Sequence, residues 1–211
     1  MIHFILHIDQ HIYNMAQTFG GWTYLILFLI IFVETGAIVL PFLPGDSLLF
    51  AAGALAANPN MPFNIGIFLP LFFVAAFLGD TCNFFIGHKI GTKLLEHRLS
   101  GKLINKKHID EAEAYFEKKG SIAIIMGRYV PIIRTFVPFV AGISQFKFND
   151  FMKRAFIAAF SWSLIATGSG YLFGNIPFVK KHFSIIILGI ILVTLIPSVV
   201  AFIKSRRQRK N

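Results

Sequence analysis

Five charged residues stand inside the most apolar stretches of this 211-residue chain: Glu34, Asp46, Asp80, Arg128 and Arg134. Hydrocarbon makes charge expensive, so ionisable groups at membrane depth mark a transport or binding site. Their neighbours sharpen the point. Glu34 is followed by Pro41, Pro44 and Gly45, which leads into Asp46; Arg128, Tyr129 and Pro131 are followed by Arg134 and Pro138. Prolines and a glycine at that depth break helices, and broken helices are tolerated there only when buried in protein or lining a cavity. Arginine suits an anion, because its guanidinium stays charged when desolvated and grips two oxygens at once, whereas lysine is a point charge that loses its proton more readily on burial. Arg128 and Arg134 lie on opposite sides of Pro131 and can converge on one ligand. The alternative is that each only neutralises a buried Glu34 or Asp46.

The carboxylates suggest a second chemistry. A carboxyl that alternates between apolar surroundings, which favour its neutral form, and an arginine, which favours its charged form, takes up and releases a proton; Glu34 and Asp46 are therefore candidates for proton coupling. Asp80, beside Gly79 and close to Asn83, reads either as a structural group at a hairpin tip or as part of the site.

The elements that must position these groups follow from composition. Hydrophobic residues make up 55% of the chain, 25 positions are Phe, and mean hydropathy is +0.68, which places the chain in a membrane. Four stretches, 22–40, 65–87, 155–174 and 183–203, are each apolar enough to cross about 30 Å of hydrocarbon. No signal peptide is expected, since no basic segment precedes the first apolar stretch. The single Cys82 excludes an intrachain disulfide. A net charge of +10 raises the question of nucleic acid, but the basic residues cluster between 89 and 119, between 147 and 154, and at 204–211. That distribution reads as the positive-inside rule and contact with anionic headgroups, not nucleic-acid binding. The loop near 90–119 and the C-terminus are then cytoplasmic and the 57–64 turn is outside.

Counting crossings makes residues 120–148 enter and return on one side, and likewise residues 40–58 from the other side. The expected fold is all-α and integral to the membrane: four spanning helices and two opposed re-entrant hairpins in an inverted repeat. An interfacial helix over 1–19, a cytoplasmic loop and surface helix over 93–119, and a basic cytoplasmic tail over 204–211 complete a single domain. A repeat is also visible in glycine spacing, since Gly53 to Gly79 and Gly142 to Gly168 are the same distance apart. Other signals carry less. His3, His7 and His11 line the edge of an amphipathic segment and do not form a metal site. Gly168-Ser169-Gly170 lacks the glycine that a serine nucleophile elbow needs. His108 to Gly120 reads as a surface helix with acids at its start and lysines at its end.

Glu34, the Pro44-Gly45-Asp46 run, Gly53, Gly79-Asp80 with Asn83 and Gly87, Gly127 to Pro131, Arg134 with Pro138 and Gly142, and Trp162 together resemble the DedA family, also called the VTT or SNARE-associated Golgi protein family. The resemblance covers about residues 20–200. It implies a multi-pass protein of the bacterial cytoplasmic (inner) membrane with two opposed re-entrant hairpins. It also implies a lipid-phosphate translocase, most specifically one that returns undecaprenyl phosphate to the inner leaflet with proton coupling. The family's arginine pair maps onto Arg128 and Arg134 and its acidic pair onto Glu34 and Asp46, with Asp80, Asn83, Pro44, Gly45, Tyr129 and Pro131 in support. The expected partners are a polyprenyl phosphate or phospholipid and the surrounding lipids; no catalytic residue, cofactor or metal is expected. A less selective phospholipid scramblase and a membrane enzyme acting on a lipid phosphate are the rival readings.

The topology is directly testable. In a Cys82→Ala background, cysteines introduced at Asn58 and Asn105 are expected to react with an impermeant thiol reagent from outside and from inside respectively. Labelling of both from one face would refute the opposed arrangement.

Overall fold

The computed structural model describes residues 18–36, 45–59, 61–96, 119–144, 146–174 and 176–181, with isolated positions elsewhere. These residues are all-helical, with no strand among them. The helices are α1 (Trp22–Gly36), α2 (Gly45–Ala56), α3 (Ile65–Glu96), α4 (Ala123–Gly127), α5 (Pro131–Ile143), α6 (Phe148–Phe173) and α7 (Pro177–Lys181), and a 3-10 turn, Gly120–Ile122, leads into α4.

Among the described residues two helices are long and apolar enough to cross a membrane: Ile65–Lys89 of α3, 25 residues of mean hydropathy 2.0, and α6, 26 residues of mean hydropathy 1.4. They form an antiparallel pair. Phe84 stacks on Phe151 with centroids 4.5 Å apart, Phe73 meets Phe156 at 4.9 Å, and the Ser163 hydroxyl donates to the Leu69 carbonyl at 3.0 Å. Asn64 caps the start of α3, its Oδ1 accepting the Gly66 N–H at 2.7 Å. Past residue 87 the helix continues through Glu96, so the first part of the expected 93–119 loop is helical.

The shorter helices pair out and back against this frame. Tyr24, near the start of α1, accepts the Asn64 N–H at 2.9 Å and packs on Phe68, while Thr35 and Gly36 at its end lie against Gly79 in the middle of α3. α1 thus runs beside the first half of α3. Gly45, the first residue of α2, sits against the Glu34 carboxylate, and α2 returns towards the α3 start. At the other end, α4 leads in and the chain turns through Arg128, Tyr129 and an extended Val130. Pro131 then opens α5 in the first-turn position where its missing N–H costs nothing. α5 runs parallel to the second half of α3, as the Asn83 Nδ2 to Thr135 carbonyl bond at 2.6 Å shows. The two helical hairpins therefore approach from opposite ends, and their tips meet midway.

Of the expected 22–40 crossing, residues 22–36 are described and form α1, 15 residues or about 22 Å at about 1.5 Å per residue. Of the expected 40–58 hairpin, residues 45–56 form α2, and α1 and α2 lie as two arms whose near ends meet at Glu34 and Gly45. Residues 37–44, the 183–203 stretch, the 1–19 segment apart from its last residues and the 204–211 tail lie outside the described residues, as does most of 97–118.

Close backbone approaches reveal a repeat that keeps the Gly53–Gly142 pairing suggested by glycine spacing but not the Gly79–Gly168 one. A Cβ at Gly53 of α2 would collide with the Thr167 carbonyl and crowd the Tyr171 amide of α6, and one at Gly170 of α6 would strike the Phe50 carbonyl of α2. The same reciprocal contact recurs elsewhere: Gly142 of α5 meets Phe84 and His88 of α3, and Gly87 of α3 meets Phe139 of α5. Hairpin counterparts are 89 positions apart (Gly53 and Gly142, Phe50 and Phe139), while long-helix counterparts are 83 apart (Gly87 and Gly170, Phe84 and Thr167, His88 and Tyr171). Each returning arm packs on the long helix of the other repeat. Gly168 is not a counterpart of Gly79, for a Cβ there meets nothing within 4 Å.

Buried side chains gather in two clusters, one around Leu27, Ile31, Leu49, Phe68 and Phe72, the other around Phe84, Val137, Ala141 and Phe151. Leu25, Leu29 and Val33 of α1, and Phe156, Phe160 and Leu164 of α6, form outward apolar stripes suited to lipid. Gly53→Val and Gly142→Val are each expected to cost about 1–3 kcal/mol by overpacking against backbone. Gly168→Ala is expected to be neutral or stabilising. Melting of the purified variants checks this; equal effects at all three positions would refute the packing equivalence.

Candidate functional site

Between the two apolar clusters lies a polar layer built by the helix ends. On α1 the buried residues Thr23, Leu27, Ile31 and Glu34 share one face, so the stripe that packs the helix delivers a carboxylate in its last turn. Asp46 lies in the first turn of α2, where the helix dipole favours an anion. Asp80 and Asn83 share a face of α3, Arg128 occupies the α4–α5 turn, and Arg134 follows in the first turns of α5.

The five charges form one connected network. Arg134 donates through Nη2 to Glu34 Oε1, and through Nη1 to both oxygens of Asp46 at 3.2 and 3.3 Å. Arg128 Nη1 donates to Asp80 Oδ2 at 2.5 Å. Glu34 is 1% exposed, Asp80 4% and Arg128 6%. Trp162 of α6 joins the two halves: its Nε1 donates to Asp46 Oδ1 at 2.7 Å, and its ring lies 4.6 Å from the Arg128 Cζ and 5.9 Å from that of Arg134. Distances of this kind give cation–π attraction that strengthens with desolvation. Thr35, Arg128, Arg134, Thr135 and Trp162 line a small cavity. With every group ionised, two guanidinium groups face three carboxylates. An anion can be accommodated only if a carboxylate moves away or takes up a proton.

A family profile described as VTT domain matches residues 43–172. Protein DedA of Escherichia coli (strain K12) is 44% identical over 207 residues, covering 98% of this chain and 94% of that protein. An uncharacterized membrane protein of Mycobacterium tuberculosis is 40% identical over 185 residues (88% and 81%), and inner membrane protein YghB of Escherichia coli (strain K12) is 33% identical over 175 residues (82% and 75%). The chain is a VTT-domain membrane protein of the DedA family. No solved structure matches.

Within this DedA-family chain the structure brings Glu34, Asp46, Arg128 and Arg134 together and adds Asp80, which sequence left open between a hairpin-tip role and a site role. Asn83 holds α5 through the Thr135 carbonyl and does not touch the charges directly. Gly45 has its reason in the Glu34 carboxylate, which would collide with any Cβ there. Tyr129 is exposed and its hydroxyl donates to Ser161 Oγ at 2.7 Å, beside Trp162. Pro44 lies outside the described residues, and Pro131 contributes the start of α5. Among the described residues no group of three metal-ligating side chains converges.

Trp162 stood among the residues that carry the family resemblance but was given no role in the site. The signal for that role was an indole N–H deep in an apolar helix, which needs an acceptor when buried. Trp162→Phe keeps the aromatic face but leaves Asp46 one donor short, a loss of about 1.5–3 kcal/mol for a bond to a charged group. Trp162→Leu removes the cation–π contact as well and should melt lower still. Equal melting of wild type and both variants would refute the linking role.

Proposed function

We propose that this protein moves a lipid phosphate across the membrane, most specifically a polyprenyl phosphate such as undecaprenyl phosphate, and that it couples this to protons. The observation that carries the reading is the meeting of both arginines with three carboxylates midway along α3 and α6. In this reading the two hairpins re-enter the membrane from opposite faces, and their tips hold the polar layer at mid-depth. A lipid phosphate needs such a layer for its head alone, because its tail remains in hydrocarbon throughout.

Charge balance links the ligand to the proton. Arg134 is already shared between Glu34 and Asp46, and Arg128 is paired with Asp80. Adding a phosphate to this layer deepens an existing excess of negative charge. Protonating a carboxylate removes that excess and frees a guanidinium at the same time. Phosphate binding and proton uptake then favour one another, and the coupling is reciprocal.

The test is transport by the purified protein in liposomes with defined lipids on one leaflet. Wild type is expected to move a prenyl phosphate faster under an imposed pH gradient. Glu34→Gln and Asp46→Asn, which fix the protonated form, are expected to stay folded and lose that dependence. Well-folded variants that still follow the gradient like wild type would dismiss both carboxyls as coupling groups. Movement of phosphatidylcholine at the same rate in both directions, without a gradient, would replace the translocase by a scramblase.

A further inference from the structure

The two arginines come from the same hairpin tip but are held in different ways. Both terminal nitrogens of Arg134 are engaged by carboxylates, and these come from two elements, Glu34 on α1 and Asp46 on α2. Detaching Arg134 would leave two carboxylates behind and undo the closure of the first hairpin on the second. Among the described residues Arg128 makes one hydrogen bond, through Nη1 to a single oxygen of Asp80. Its Nε is buried and has no partner among the described residues, and the same is true of Asp80 Oδ1; Glu34 Oε2 is likewise unpartnered, but only the Arg128 pair carries an orphan guanidinium N–H, the donor that an anion needs. An unpaired N–H and an unpaired oxygen on the two members of one buried ion pair mark a site with capacity in reserve.

The surroundings indicate what that reserve takes. Arg128 lines the cavity with Thr35 and Thr135, and the Trp162 ring covers one face of its guanidinium. A stacked guanidinium has its plane fixed and its edge free, and a free edge binds two oxygens of a phosphoryl group. Asp80 competes for the same cation from α3, not from an arm of the α1–α2 hairpin that Arg134 clasps. Exchange at Arg128 therefore breaks one contact and leaves both hairpins joined through Arg134.

We infer that Arg128 is the phosphoryl-binding arginine, exchanging Asp80 for the ligand, and that Arg134 is a positioning residue that clasps the α1–α2 hairpin to the α4–α5 tip. This division of labour rests on the lipid-phosphate reading.

Isothermal titration calorimetry of the full chain in detergent tests it, with farnesyl monophosphate as ligand and farnesol and inorganic phosphate as controls. Arg128→Lys is expected to weaken farnesyl phosphate binding at least tenfold. Arg134→Lys is expected to weaken it by a smaller factor and to lower the melting temperature further. Asp80→Asn removes the competing charge and is expected to tighten binding at least threefold. The double variant Arg128→Gln with Asp80→Asn keeps that pair hydrogen-bonded and uncharged, and is expected to fold and not to bind. A larger binding loss in Arg134→Lys than in Arg128→Lys, or Asp80→Asn binding no tighter than wild type, would overturn the division while leaving the lipid-phosphate reading intact. Wild type that binds farnesyl phosphate no better than farnesol would overturn that reading, and this inference with it.

Discussion

Arg134 holds one half of the molecule to the other. Its guanidinium reaches from the first turns of α5 to a carboxylate on each arm of the opposing hairpin, and nothing in an apolar interior can replace that pairing with water. Removing one partner from a buried pair costs about 3–5 kcal/mol, a large share of the about 5–15 kcal/mol by which proteins are stable at all. The hairpin tips accordingly cannot part while all three groups are charged. Every other part of the polar layer is arranged around this fixed point: Trp162 orients Asp46, Gly45 leaves room for Glu34, and Asn83 anchors α5 one residue away at Thr135.

The backbone repeats but the chemistry does not. Reciprocal glycine contacts seat α2 on α6 and α5 on α3 with the same local geometry, which brings both tips to one depth. At the centre, the counterparts differ. The hairpin offset that matches Gly53 with Gly142 also matches Gly45 with Arg134 and Asp46 with Thr135. The long-helix offset that matches Gly87 with Gly170 likewise matches Gly79 with Trp162 and Asp80 with Ser163. Where one half carries a carboxylate, the other carries a hydroxyl. Where one half has no side chain, the other has the bulky cationic or aromatic group that fills the space. A symmetric scaffold thus makes an asymmetric site, with acids from one repeat meeting bases from the other.

Much of this was legible in the residues themselves. Charges in apolar runs, flanked by helix breakers, identified Glu34, Asp46, Arg128 and Arg134, because the cost of burying charge applies before any fold is known. Pro131 correctly marked the α4–α5 turn, whereas Pro138, also read as a helix breaker, lies inside α5. Length alone decided less: the apolar run from 22 to 40 is long enough to span, and its described part, Trp22–Gly36, is a 15-residue helix packed beside the first half of α3. The glycine repeat was misaligned because the connection into α6 is shorter than that into α3, so no single offset relates the halves. Trp162 was noticed as a motif residue but not placed in the site, because its role depends on three partners far away in sequence, and no local pattern encodes such a contact. Asp80 could not be decided locally either, since a cap and an ion pair look the same until Arg128 is placed beside it.

The network is graded in its access to the surface, and the gradation imposes an order on any exchange within it. Side-chain exposure falls from 24% at Asp46 through 12% at Arg134 to 5% at Arg128 and Asp80, and to 1% at Glu34. Asp46 has the weakest hold on Arg134, with both contacts beyond 3 Å, and it is the member that also has a neutral donor, the Trp162 indole, to keep it in place. It can therefore release the arginine without being stranded. Glu34 is sealed behind it and is also paired with Arg134. Of the two carboxylates on Arg134, Asp46 is thus the one that water reaches, while Glu34 keeps α1 clasped to α5 from inside. The polar layer in this way sets a solvent-accessible edge against a sealed interior.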